Sequence, residues 1–295
     1  MNLLSLWPRA RRKTSPGGDA QRDEKLLSSL FLLAWAVEAR DPYTGGHLWR
    51  VARLSRLLAQ AAGLDAGQVA RIAIGAFLHD LGKIGIPDAV LGKKSKLDDA
   101  EYEVIKTHPE IGLRMLAGHP LAALAEDAVL LHHETPDGRG YPFGRRGEEI
   151  PLVARIVGIC DAFDAMTSTR PYRAGMPIAR AMGIIESELG RQFDARLGAL
   201  FIALADNPEL AHIVGHSDEG IPLERCGACG PIVVRPRQAQ AGDTLYCPAC
   251  HSEYTIAPAG GLLATGKQNT ARALAASPDT SLIGRLVGEN LTALG

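Results

Sequence analysis

The sequence predicts an all-α helical bundle followed by a small β-type ribbon and an amphipathic C-terminal helix. Three observations carry this. Apolar residues recur at spacings of three and four through residues 23–205. Composition shifts near Pro208 into short β-type runs beside two C-x-x-C pairs. Residues 279–294 show one continuous apolar face.

Residues 1–22 are rich in Pro, Gly, Ser and Arg and read as a flexible leader. Leu3, Leu4, Leu6 and Trp7 precede the basic run Arg9, Arg11, Arg12 and Lys13, the reverse of a signal peptide's charge order. Helical spacing then appears in Leu48, Val51, Leu54, Ser55 and Leu58, and again in Val69, Ile72, Ala73, Ala76 and Phe77. Asp65 stands where a helix cap belongs, and Asp98 and Asp99 do the same before Tyr102 and Ile105. Pro109 is expected to interrupt that helix just after His108. Residues 134–151 form one long irregular stretch, and helical patterning resumes over 152–168 and 178–189. No alternating strand pattern precedes residue 205.

The expected domains are a leader (1–22), a helical domain (23–205), a linker (206–221), a ribbon (222–258) and a linker with tail helix (259–295). The tail face comprises Leu282, Ile283, Leu286, Val287, Asn290, Leu291 and Leu294. The longest apolar run, Leu26 to Val37, is too short to span a bilayer. A net charge of −1 gives no global attraction to nucleic acid or anionic membrane, so any anionic ligand must be held locally.

Several of the nine histidines stand at the ends of apolar runs. Ala76-Phe77-Leu78 leads into His79-Asp80, Val129-Leu130-Leu131 into His132-His133, and Ile156 to Cys160 into Asp161. His47 opens a helix and His108 precedes Pro109. Buried carboxylates and imidazole pairs are costly unless matched, and a divalent cation supplies the match. Imidazole with carboxylate suits Fe, Mn or Zn. Seven such groups exceed what one tetrahedral site needs, whereas two metals sharing a bridging Asp would use them all. A lone histidine on an apolar face is more often a satisfied core residue, but four such clusters beside Lys83 and a Gly-rich loop favour metal.

HDLGKIGIPD, HPEIG, HHETPDGRGYP and DAFDAMTSTRPYR run in that order between Arg40 and Arg173, and together they resemble the HD-GYP subgroup of HD-domain phosphohydrolases. The resemblance implies an all-helical HD core and hydrolysis of cyclic di-GMP to a linear dinucleotide, with further cleavage to GMP left open. It implies that His47, His79, Asp80 and Asp161 hold one metal, and that His108, His132 and His133 hold a second bridged by Asp80. Fe or Mn is expected in both sites. Lys83 matches the lysine that contacts the scissile phosphate, and with Asp80 forms the catalytic pair. Tyr141 belongs to the GYP signature that meets substrate and partner domains, and Arg170 and Arg173 match the groups that grip the dinucleotide. Tyr43 stands where some members carry a further carboxylate, so two metals are expected, not three. Asp164, one turn after Asp161, orients a ligand, caps a helix or is simply solvated.

Cys226, Cys229, Cys247 and Cys250 form two C-x-x-C pairs separated by seventeen residues, the spacing of a four-cysteine structural zinc site. That cysteine usage points to a reducing, cytoplasmic compartment. The expected substrate is a cyclic dinucleotide. A protein partner at the GYP loop, ribbon or tail helix, and a homodimer, stay open. Two other functions also stay open: a catalytically silent cyclic-dinucleotide receptor or scaffold, and an HD phosphohydrolase for another nucleotide.

Overall fold

The computed structural model describes residues 16–40, 44–93, 95–169, 174–230, 232–275 and 278–294. The chain folds as the helical bundle expected, with a small C-terminal β region and a final helix. The bundle is built from α1 (Pro16–Glu38), α2 (His47–Ala61), α3 (Ala66–Leu78), α4 (Asp88–Leu91), α5 (Asp99–Ile105), α6 (His108–Leu116), α7 (Glu126–Leu131), α8 (Leu152–Thr167), α9 (Ile178–Ser187) and α10 (Ala195–Ile202). A 3-10 turn over Leu81–Gly85 follows α3.

Local signals explain the boundaries. The Asp65 side chain accepts from Gln68 N while the Gln68 side chain accepts from Asp65 N, closing a capping box that starts α3. Asp98 and Glu101 do the same for α5. Pro109 opens α6 and does not interrupt α5, because a proline in the first turn gives up only an N–H that has no helical partner there. Buried Leu54 and Leu58 of α2, Ile74 and Leu78 of α3, Phe163 of α8 and Phe201 of α10 form the centre of the core. The Phe163 and Phe201 rings meet edge to face with centroids 5.0 Å apart.

Three expected boundaries shift. Helix α1 starts at Pro16, inside the stretch read as flexible leader, with Pro in its first turn and Asp19 complementing the helix dipole. The stretch read as a linker over 206–221 holds α11 (Pro208–Val214), capped by Asn207, and the hairpin β1 (His216–Asp218) and β2 (Ile221–Pro222). Two buried residues, Leu210 and Ile213, anchor α11, too few to leave a periodic trace in the sequence. The second linker holds β7 (Leu262–Gln268) and α12 (Thr270–Leu274).

The cysteine segment contains a hairpin of β3 (Glu224–Arg225) and β4 (Ile232–Val233), then a meander of β5 (Thr244–Tyr246), β6 (Ser252–Ile256) and β7. Helix α13 (Thr280–Leu294) buries Leu282, Ile283, Leu286 and Val287 and packs on α1 and α3. Its apolar face, a candidate partner surface from the sequence, is therefore occupied by the protein's own bundle. No helix among the described residues is long and apolar enough to cross a membrane.

Candidate metal centre and active site

Four helix ends and the body of a fifth helix converge on one place. Helix α2 begins with His47, and α3 runs out of a buried apolar stretch into His79-Asp80. Helix α6 begins with His108, α7 ends at His132-His133, and α8 carries Asp161 and Asp164. His79 and His108 are fully buried, and His47 and His132 are nearly so.

The two oxygens of Asp80 face different groups. Oδ2 lies 3.4 Å from both His47 Nε2 and His79 Nε2, whereas Oδ1 lies 3.5 Å from His108 Nε2. On the first side Asp161 Oδ1 is 3.5 Å from His47 Nε2 and 3.8 Å from His79 Nε2. On the second side His108 Nε2 is 3.3 Å from His132 Nε2, and the His132 and His133 rings are 4.0 Å apart. Within each set, His47-His79-Asp80 and His108-His132-His133, the candidate ligand atoms lie within 4.8 Å of one another.

Hydrogen bonds behind the rings fix their orientation. His79 Nδ1–H donates to Ala76 O at 2.6 Å, His108 Nδ1–H to Ile105 O at 2.8 Å and His132 Nδ1–H to Ala128 O at 2.8 Å. A carbonyl can only accept, so each neutral ring turns a bare Nε2 lone pair inward. Those lone pairs face other acceptors. His79 Nε2 is buried, has no hydrogen-bond partner among the described residues, and points toward two carboxylates. The His108 and His132 nitrogens face each other. Acceptors aimed at acceptors in a buried space are unfavourable unless a cation lies between them. The donor set therefore fits divalent metal ions of the Fe, Mn or Zn class.

The electrostatics of the second histidine group agree. Burial pushes His108 down to about 4 and His133 down to about 3, and burial together with the neighbouring imidazoles holds His132 well below the usual range. All three are therefore neutral and ligand-competent near pH 7. Burial alone would also depress His47, but hydrogen bonds to Asp164 and Asp80 outweigh it and raise the ring to about 9. Burial raises Asp80, yet Lys83 and His79 overcome this and hold the carboxyl well below its ordinary value. Lys83 Nζ lies 2.6 Å from Asp80 Oδ2.

Other sequence candidates are placed as follows. The Tyr141 ring stacks on His133, centroids 4.7 Å apart, and burial raises its hydroxyl. Arg170, Arg173 and Tyr43 lie outside the described residues. Asp164 stands behind a candidate ligand: Oδ2 accepts from His47 Nδ1 at 2.8 Å. Two residues that sequence reasoning missed stand beside these. Arg50, one turn after His47 and 1% exposed, pairs its Nε with Asp164 Oδ1 at 2.5 Å. Glu134, 6% exposed, accepts from Phe143 N at 2.7 Å and Arg145 N at 2.9 Å and so clamps the loop that carries Tyr141. The signal for Arg50 was its i+3 spacing from His47, and for Glu134 its place directly after His132-His133.

The close approach of the two half-sites has a backbone cause. A Cβ at Gly82 would meet His108 O at 1.8 Å and Gly112 N at 2.5 Å, so the turn after Asp80 touches α6 main chain to main chain.

Residues 32–197 match the HD-domain family. The chain belongs to that family. Its HD-GYP motifs, read first as a resemblance, sit in the HD-domain region, and relatives agree. The chain is 43% identical over 176 residues to the cyclic di-GMP phosphodiesterase response regulator RpfG of Xanthomonas campestris, covering 59% of this chain and 47% of that protein. It is 38% identical over 194 residues to a cyclic di-GMP phosphodiesterase of Thermotoga maritima, covering 65% and 53%. It is 41% identical over 159 residues to 3'3'-cGAMP-specific phosphodiesterase 3 of Vibrio cholerae, covering 54% and 34%. The chain spans about half the length of the first two of these curated relatives and a third of the last.

A third candidate metal group lies in the HD domain's C-terminal neighbour. Cys226, Cys229, Cys247 and Cys250 come together at the turns of the β3–β4 and β5–β6 hairpins. Cys226 Sγ is 3.5 Å from Cys250 Sγ and 3.6 Å from Cys229 Sγ, and Cys229 Sγ is 3.5 Å from Cys247 Sγ. The Tyr254 hydroxyl lies 3.0 Å from Cys226 Sγ, well placed to donate to a thiolate.

Proposed function

We propose that this chain is a metal-dependent phosphodiesterase that hydrolyses a cyclic dinucleotide, cyclic di-GMP foremost, to its linear form. The observation that carries the reading is Asp80, whose two oxygens address two separate imidazole groups, as a carboxylate shared by two cations must. His47, His79 and Asp161 would hold one ion with Asp80, and His108, His132 and His133 the other. Fe or Mn suits this nitrogen and oxygen set. When bound, the ions supply Lewis acidity and make water a competent nucleophile at neutral pH.

The protein's own groups do the rest. Lys83 puts an ammonium beside Asp80 Oδ2, at the mouth of the site, where a phosphodiester brings negative charge. Tyr141, held against His133, offers an aromatic edge to a purine. Arg170 and Arg173 would grip the second phosphate. The names of the relatives support a cyclic dinucleotide but divide between cyclic di-GMP and 3'3'-cGAMP.

We assign a structural zinc to the cysteine cluster. A tetrahedron with zinc–sulfur bonds of 2.3 Å has sulfur–sulfur edges of about 3.8 Å, close to the spacings found and far from a disulfide's ~2.05 Å. Four thiolates leave no open position, so this ion would be structural, and unoxidised thiols fit a reducing cytoplasm.

The test is hydrolysis of cyclic di-GMP, 3'3'-cGAMP and cyclic di-AMP by the full chain loaded with Mn2+ or Fe2+, with products separated by chromatography. Linear dinucleotide is expected from cyclic di-GMP, and none from an Asp80→Ala variant. Metal-replete protein that binds the ring without opening it would make the chain a receptor. Near-normal turnover by Asp80→Ala would remove the shared-carboxylate mechanism.

A further inference from the structure

The first candidate ligand, His47, is held by a part of the chain nearly two hundred residues away. It follows the turn Gly45-Gly46, and that turn is covered by the C-terminal region. A Cβ at Gly45 would meet Val234 Cγ2 at 2.6 Å and Ile232 Cγ2 at 3.3 Å. Gly46 adopts φ +74, and a Cβ there would meet Ser217 Cα at 2.7 Å. Arg50 joins both sides. Its Nη1 donates to Gly45 O at 3.0 Å and His216 O at 3.4 Å, while its Nε grips Asp164, the acceptor of His47 Nδ1.

Strand β4 presses on this turn, yet it is only two residues long and, among the described residues, pairs only with β3. A hairpin so short does not hold itself together. Cys226 follows β3 directly, and Cys229 stands three residues before Ile232. Closing the four-thiol cluster therefore fixes the hairpin that presses on Gly45. The neighbouring β1–β2 hairpin has an anchor outside the cysteine segment: Asp218, 3% exposed, accepts from Arg285 of α13, and Arg237 of the cysteine segment reaches the same carboxylate with Nη2 at 3.0 Å. Loss of the cluster should thus release β4 without undocking the whole segment.

We propose that the cysteine segment is a positioning element of the first catalytic metal site, and that zinc in the four-cysteine cluster keeps His47 in register for the metal. This rests on both metal readings above. Zinc loss or thiol oxidation would then weaken a centre that contains no cysteine.

The test measures Mn2+ binding to the full chain by titration calorimetry and by the Mn2+ paramagnetic resonance signal, with zinc content determined separately. Gly45→Ala forces a methyl into Val234 and should weaken Mn2+ binding about 10–100-fold, the effect expected of a group that orients a ligand. Adding Val234→Ala removes the clashing methyl and should recover most of that loss. Cys229→Ser with Cys250→Ser should lose zinc and weaken Mn2+ binding about as much, with helical circular dichroism retained. A zinc-free variant that binds Mn2+ like the wild type, or a Gly45→Ala defect that Val234→Ala leaves untouched, overturns the proposal. Should the cysteine variant fail to fold, the Gly45 and Val234 pair decides alone. A wild-type chain that binds no Mn2+ sinks the metal-centre reading itself, and one that binds Mn2+ but never carries zinc sinks the zinc reading; either takes this coupling with it.

Discussion

Replacing Asp164 with alanine separates what holds the fold from what aims the site. The carboxylate is 1% exposed and sits between Arg50 and His47, with Ser168 Oγ at 3.3 Å. Alanine strips the Arg50 guanidinium, also 1% exposed, of the carboxylate it pairs with and leaves carbonyls and a hydroxyl as its hydrogen-bond partners. Removing one partner of such a pair costs about 3–5 kcal/mol. Domains have only about 5–15 kcal/mol to lose. At about 2–4 °C per kcal/mol for a chain of this size class, the melting temperature should fall by roughly 6–20 °C. The same change frees His47 to rotate, so Mn2+ affinity should also fall about 10–100-fold. A companion variant, Arg50→Met with Asp164→Ala, should regain most of the melting temperature, because an apolar replacement of a buried ion pair is close to neutral. It should regain none of the metal affinity, because the acceptor for His47 Nδ1 is still missing. Thermal denaturation followed by circular dichroism and Mn2+ titration read the two effects separately. If Asp164→Ala melts within about 2 °C of the wild type, Arg50 is not held as described; if it binds Mn2+ normally, His47 is not aimed by Asp164.

Two further outcomes follow from the same geometry. Lys83→Ala should keep its full metal content, measured by elemental analysis, while turnover falls about 100–1000-fold, the loss typical of one removed charge-stabilising donor; a variant that loses metal would show that Lys83 supports Asp80 and not the substrate. Glu134→Ala removes the carboxylate that accepts two hydrogen bonds from backbone N–H groups, each worth about 1.5–3 kcal/mol. It should loosen the loop bearing Tyr141, raise KM more than it lowers kcat, and speed proteolysis within 134–151; unchanged KM and cleavage would mean the loop holds without the clamp.

The ends of helices proved the most legible part of this chain. His79-Asp80, His132-His133 and Asp161 each terminate or interrupt an apolar run, and that pattern alone marks a polar group carried into a core. Spacing from a known neighbour served less evenly. Asp164 was noticed one turn after Asp161, while Arg50, one turn after His47, passed as an ordinary helix residue because a single arginine leaves apolar periodicity intact. Its burial depends on Asp164, more than a hundred residues away, and no local window contains both. The same limit hid the partner of the tail helix: residues 280–294 display an apolar face, but nothing in them says that α1 and α3 lie opposite. Short elements such as α11 and the β1–β2 hairpin fall below any periodic signal and exist because Leu210, Ile213 and Ile221 find room to bury.

Gly82 has no side chain to offer any ion, yet it sets the interval between the two halves of the centre. Because the Leu81–Gly85 turn rests on the His108 carbonyl without an intervening methyl, Asp80 can reach imidazoles on both flanks with one functional group. Main-chain contact of this kind has no rotamers with which to adjust. A sequence that kept all seven proposed ligands but put alanine at this position would push the helix bearing His108 outward, and Asp80 would be left serving one half alone.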